Sequence, residues 1–257
     1  MIAIERTVDG IPATDSFGLK YPGIPVSSKV DGMDFFLIKN IEAAEENLIT
    51  DSTQVNGIIG MSREDLATSN YIDKLFEQNL IPSRKFSLLL GDGDSSSSLT
   101  LGDSNQAYVH SDFKYAEFPV SSLVSDDWAL EIRSFDLGEN QITSGIAVIS
   151  TRERDISLSS DAYITWKSEV VKSDSKLDCD SITFCGSREK NCAQLADTVP
   201  PLKLKVSDDY EYTMPVSTWS SPGFDGDSQG CTLRVMDSNQ INAEGSPGIT
   251  LGLIFLK

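Results

Sequence analysis

The sequence predicts an all-β protein with few helices. Three observations carry that reading. Gly, Pro, Ser and Asp interrupt short apolar runs along almost the whole of the 257-residue chain. Several of those runs alternate apolar and polar residues, the two-residue period of a half-buried strand. And only two stretches carry the 3–4 residue spacing of an amphipathic helix.

Taken in order, the predicted strands are "MDFFLIKNI" (33–41), "KFSLLLG" (85–91), "SLTLGD" (98–103), "FKYAEFPVSSL" (113–123), "WALEIRSFDL" (128–137), "GIAVIS" (145–150), "PLKLKVS" (201–207) and "GITLGLIFLK" (248–257). "WALEIRSF" and "PLKLKV" alternate cleanly, so each should bury one face. The first helix is expected over 68–81, where Ile72, Leu75, Phe76 and Leu80 share a face and Ser69 stands at the capping position. The second is expected over 159–172, with Ser159 or Ser160 as cap and Tyr163, Trp166 and Val170 on one face. The segment 55–81 echoes 145–172 coarsely, since in each an apolar strand rises to a turn and a helix follows.

The chain carries 21 Lys plus Arg against 39 Asp plus Glu, a formal net charge of −18. A field of that sign repels phosphate backbones and anionic lipid surfaces, which argues against nucleic acid and membrane surfaces as partners. No run reaches the ~18 apolar residues of a membrane span. The N-terminal "MIAIERTVDGIPATDSFG" has no basic stretch followed by an apolar core, so no signal peptide is expected in it.

Four cysteines, Cys179, Cys185, Cys192 and Cys231, all lie in the last third. Their spacing is not that of a CxxC zinc or redox motif. Two local disulfides, and with them an oxidising compartment, are one reading; free buried thiols and a metal site are the others. In "DGDSSSSLTLGD", Asp92, Asp94, Ser96, Ser98 and Asp103 fall at the ligand positions of an EF-hand-like register. Ser97 stands where that loop needs Gly and strands flank it, so a hairpin turn accounts for the segment better. No metal or other cofactor is expected.

The order of the blocks resembles the pepsin-like aspartic proteases. "VNGIIGMSREDLATSNYIDKLFEQNLIPSRKFSLLLGDGDSSSSLTLGD" is similar to that family's first-lobe ending, with Asn56 in place of the usual Asp before Gly57, Ile58, Ile59 and Gly60. "YAEFPV" (115–120) and "WALEIRSFDLGENQI" (128–142) resemble the crossing into the second lobe. "PPLKLKVSDDYEYTMPVSTW" (200–219) resembles the strand and hairpin that follow. "GITLGLIFLK" is similar to the "Ile-Leu-Gly-Asp-x-Phe" strand, with Leu253 where Asp is usual. The resemblance implies a bilobal all-β fold with an incomplete first lobe, residues 1–108, and a second lobe, residues 109–257. It further implies that Cys192 pairs with Cys231, which leaves Cys179 to pair with Cys185.

The family's second catalytic motif, Asp-Thr-Gly-Thr-Ser, falls without a gap on Ser150-Thr151-Arg152-Glu153-Arg154. The downstream "DISLSSDAY" keeps its frame. The acid is Ser150 and the glycine is Arg152, whose guanidinium needs Glu153 or Asp155 as a partner if buried. No Asp-Thr-Gly or Asp-Ser-Gly occurs anywhere. For the flap or cleft the resemblance offers only Phe17 or Tyr21.

Aspartic proteolysis needs two carboxylates sharing one proton, one to activate water and the other to donate to the scissile carbonyl. Ser150 can do neither. A serine nucleophile would need a base, and the one histidine, His110, lies in the linker between the lobes. Asp155 is the remaining carboxylate that could stand in. The expectation is a pseudo-protease that binds a protein partner or joins a larger assembly. The alternatives are a fragment of an active endopeptidase whose first catalytic segment lies upstream or in another chain, and an inhibitor or lectin-like module.

Overall fold

A computed structural model describes residues 7–17, 30–42, 61, 70–91, 97–103, 117–121, 127–151, 153–179, 184–238 and 248–256; of residues 7–12, 17 and 34–42 it describes the backbone alone. Its chain divides into two units, residues 1–89 with 97–111, and residues 90–96 with 112–257.

In the first unit, β1 (Thr7–Phe17) and β2 (Val30–Glu42) form a long antiparallel hairpin. Helix α1 (Tyr71–Glu77) is followed by the hairpin of β3 (Phe86–Leu89) and β4 (Ser98–Leu101). That hairpin spans the EF-hand-like register, of which Asp92, Asp94 and Ser96 lie outside the described residues. The helix is shorter than expected at both ends. Asn70 rather than Ser69 caps it, its side chain accepting from Asp73 N–H at 2.9 Å. Asn79, at φ 56°, closes it in the left-handed conformation, and Leu80 N–H donates to Leu75 O. The predicted apolar face therefore splits. Leu75 packs with Val30 and Tyr71, and Ile72 is buried, whereas Phe76 is 37% and Leu80 40% exposed. Arg84 lies over the Phe76 ring, 4.9 Å from its centroid. Gln78 fixes the helix to β2 by donating to Asp31 O at 2.8 Å and accepting from Asp31 N–H at 3.2 Å.

The second unit is built on β5 (Trp128–Leu137), β6 (Asn140–Ile149), β7 (Ile156–Leu158), β8 (Gly186–Ser187), β9 (Leu202–Lys205), β10 (Glu211–Met214), β11 (Ser220–Phe224), β12 (Asp227–Leu233), β13 (Val235–Asp237) and β14 (Ile249–Leu251), with helices α2 (Ser160–Ser173) and α3 (Cys192–Ala196). Seven of these strands form one sheet in the order β10-β9-β5-β6-β14-β7-β13, and β11-β12-β8 form a second. Residues 117–121, inside the strand expected over 113–123, belong to no strand, although Ser121 N–H donates to Ala129 O. Beyond Leu251 the last predicted strand turns away through 253–255.

The core follows from the alternation: Leu202 and Leu204 of β9 and Ile132, Phe135 and Leu137 of β5 point to one interior. Onto it α2 lowers Trp166 and Val170, both fully buried, with Tyr163 half-buried beside them. Trp166 meets Trp219 edge-to-face at 6.4 Å, and Trp219 Nε1–H donates to Met214 O. Disulfides join Cys179 to Cys185 and Cys192 to Cys231, which fits an oxidising compartment. Helix α3, which has no apolar period long enough to announce itself, is set by a capping box between Asn191 and Gln194. No helix among the described residues is long and apolar enough to cross a membrane.

Asp174, at the C-terminus of α2, ties this helix to α3. Its carboxylate accepts from Lys190 Nζ at 2.5 Å, Thr198 Oγ1 at 2.6 Å and Lys176 N–H at 3.0 Å, and its side chain is 4% exposed. Burial pushes its pKa up, but the hydrogen bonds from Lys190, Thr198 and Lys176, with the Lys190 charge, outweigh burial and hold it below its ordinary 3.8. A carboxyl with a lowered folded pKa adds stability above its unfolded pKa and loses it as pH falls through the folded one. Asp174→Asn is thus expected to cost about 2 kcal/mol at neutral pH. That deficit should shrink as the pH drops below 3.8. Urea unfolding of both proteins across the acid range checks it; a deficit that stays constant with pH would show that the charge contributes nothing.

Candidate active site

The connection between β6 and β7 has to cross a strand inserted between them. β14 enters between these two strands, parallel to β6 (Ile249↔Ala147, Leu251↔Ile149) and antiparallel to β7 (Ile249↔Leu158, Leu251↔Ile156). Two strands consecutive in sequence are thereby separated, and the turn 150–155 must bridge over the end of the inserted one. Successive residues 146–148 and 156–158 are buried, hence both faces of β6 and β7 there, and in β14 Ile249 and Leu251 are buried with Thr250 half-buried. The turn is consequently held from beneath by a rigid scaffold.

Its backbone is fixed at three points. Ser150 N–H donates to Leu251 O at 3.0 Å, Leu253 N–H to Glu153 O at 2.8 Å, and Ile254 N–H to Arg154 O at 3.0 Å. Gly252 makes this approach feasible, because a Cβ there would lie 2.3 Å from Asp155 O and 2.8 Å from Glu153 O. The Ser150 hydroxyl accepts from Glu153 N–H at 3.4 Å, closing the turn on itself. Ser150 is thus the residue at which β6 passes into the turn. Thr151 beside it is exposed, and Arg152 lies outside the described residues.

Asp155 is paired otherwise than the sequence suggests. Its carboxylate is buried and accepts two hydrogen bonds from Arg234, Nε to Oδ1 at 2.7 Å and Nη2 to Oδ2 at 2.8 Å. The guanidinium also lies over the Phe184 ring, 4.3 Å from its centroid. Arg234 follows β12 and stands 79 residues from Asp155, so only the β13–β7 pairing (Val235↔Ile156) brings the two together. No local signal identifies Arg234 as that partner; the one available hint was a new acid at 155 in a position where the resembled family is apolar.

With both oxygens engaged, Asp155 is poorly placed to take a proton from water. Of the other candidates, Phe17 ends β1 opposite Val30. Its side chain, Tyr21 and His110 lie outside the described residues, as does the 55–60 block. Among the described residues no group of three His, Cys, Asp or Glu side chains could hold a metal ion.

Comparison with known proteins agrees with this geometry. The family model "Eukaryotic aspartyl protease" matches residues 29–257. Among solved structures, the aspartic proteinase of Irpex lacteus superposes with a TM-score of 0.72 at 18% identity, covering 100% of this chain and 74% of its own. The Basic 7S globulin of soybean superposes with a TM-score of 0.70 at 13% identity, covering 95% of this chain and 62% of its own. Comparison with curated proteins finds no match. The inserted β14, the turn it supports and the match over residues 29–257 together place this chain in the eukaryotic aspartyl protease family.

Proposed function

We propose that the chain is a catalytically inactive member of this family, a pseudo-protease that serves as a protein-binding or structural component of an assembly. The observation that carries the reading is the turn itself. Ser150 stands where β6 would deliver an acid, and Asp155, the buried carboxylate just before β7, is committed to Arg234. A hydroxyl that does not ionise cannot share a proton with a second acid. The fold also occurs in a protein named a globulin rather than a proteinase, which supports a use of it outside proteolysis. The two disulfides favour a secretory, vacuolar or extracellular setting, and a net charge of −18 favours a protein over a nucleic acid as partner.

The test is digestion of an unfolded protein substrate between about pH 3 and 5, with and without pepstatin. No pepstatin-sensitive cleavage is expected. Ser150→Asp alone should also be inactive, since one carboxylate does not make a dyad. Pepstatin-sensitive cleavage by the unaltered chain would overturn the proposal.

A further inference from the structure

Strand β10, "EYTM", ends the seven-stranded sheet and, among the described residues, is paired only with β9 (Glu211↔Lys205, Tyr212↔Leu204, Thr213↔Lys203, Met214↔Leu202). Val206 N–H donates to Tyr210 O at 3.0 Å, which makes 206 and 210 a hydrogen-bonded pair of this ladder. In an antiparallel ladder such pairs alternate, so Tyr212 and Met214 turn their amides and carbonyls toward β9 while Glu211 and Thr213 turn theirs outward. Burial fails to alternate on the strand: Glu211, Tyr212 and Thr213 are all exposed and only Met214 is buried. Both faces of this edge are therefore open as well as its outward polar groups.

The two faces differ in chemistry. Tyr212 lies on the face of Leu204, Leu202 and Met214, which are buried, yet it is 44% exposed. On the same face Tyr210 is 38% exposed and meets Phe118 edge-to-face at 5.4 Å. The core surface thus continues past the core as an aromatic ledge of the kind enriched at protein interfaces. The opposite face carries Glu211, and the turn before it adds exposed Asp209, beside Asp208, which is paired with Arg133 at 2.7 Å. Lys203 and Lys205 belong to β9, one strand further in, so a new neighbour of β10 meets Glu211 first.

We propose that the β10 edge docks an extended segment of a partner protein in which apolar residues alternate with lysine or arginine. The apolar residues cover Tyr212 and Tyr210, the cations face Glu211, and the backbone pairs with Glu211 and Thr213 as a further strand. This rests on the reading of the chain as a binding component and assigns the surface it uses. A second copy of the chain does not fit the same edge, because it brings another −18 and another Glu211.

The experiment is fluorescence anisotropy on the full chain with a labelled peptide of roughly eight residues alternating Val with Lys and Arg, long enough to span the strand. A charge-reversed peptide with Glu at the basic positions is the comparison. Saturable binding of the basic peptide is expected, weakened at least ~10-fold by charge reversal. Thr213→Pro should weaken it by a similar factor with an unchanged Tm, since the amide it removes points outward and proline is tolerated on such an edge. Glu211→Lys should invert the preference between the two peptides. Should Thr213→Pro fail to fold, backbone N-methylation of the basic peptide blocks the same pairing from the other side.

Equal binding by Thr213→Pro, by the N-methylated peptide or by the charge-reversed peptide would overturn the proposal as non-specific adhesion. Mass spectrometry of the same samples separates the two claims. Cleavage of the peptide would defeat the inactive reading and leave the docking edge standing, whereas an intact and unbound peptide would defeat the edge alone.

Discussion

Arg234→Ala is expected to destabilise the second unit by about 3 kcal/mol, because it leaves the Asp155 carboxylate buried without a counter-charge. The bond lost is the strong kind: two parallel N–H to oxygen contacts at 2.7 and 2.8 Å, with side chains only 16% and 12% exposed. Contact of the guanidinium with the Phe184 ring goes with it. Removing both charges should be far milder. In Asp155→Leu with Arg234→Ala an apolar residue occupies a largely buried site, and loss of the pair itself is close to neutral once neither charge is stranded. A double-mutant cycle in urea should therefore show a coupling of about 3 kcal/mol or more between the positions. If Arg234→Ala alone shifts stability by less than about 0.5 kcal/mol, the pair behaves as an ordinary surface ion pair. Asp155 would then be free for other chemistry, and the argument against it as a displaced catalytic acid would weaken.

That pair also marks where the sequence stops being legible. Strands with one buried face were readable from alternation alone: β5 and β9 fall on the segments expected, and Leu202, Leu204, Phe135 and Leu137 point inward. Helix α2 was readable for the same reason, its Trp166 and Val170 recurring at helical spacing. The short strands β7, β8 and β13 were not, since two or three residues carry no period and exist only because long-range pairing holds them. For helix α1 periodicity reaches too far, because Phe76 and Leu80 continue the apolar spacing toward residue 81 while Asn79 ends the helix in a left-handed conformation that periodicity does not sense. Of the candidate site, the resemblance singles out Ser150 and the turn that follows β6, whereas nothing local singles out the partner of Asp155. Its identity depends on which strand lies beside β7, and that is a property of topology rather than of any local motif.

Gly252→Ala should be severely damaging, with a loss of about 3–4 kcal/mol or failure to fold. The new Cβ would sit 2.3 Å from Asp155 O, 2.8 Å from the Arg154 carbonyl carbon and 2.8 Å from Glu153 O. All three are main-chain atoms of the turn, so no side-chain rotamer can give way. Relief would require lifting the turn off the end of β14, and that would break the bonds Leu253 N–H to Glu153 O and Ile254 N–H to Arg154 O. Gly248, at the other end of the same strand, provides the control. Its φ is ordinary and a Cβ would meet nothing nearer than Ile146 O at 3.7 Å, so Gly248→Ala should stay within about 1 kcal/mol of the parent protein. Thermal and urea unfolding of the two variants give the comparison. Equal stabilities would mean that the turn yields freely to a methyl group. Unequal stabilities in the expected sense would show that the chain depends on the turn being seated on the end of β14. The constraint would then act on the scaffold itself, since the Gly252 contact is backbone against backbone and is indifferent to which side chain the turn presents.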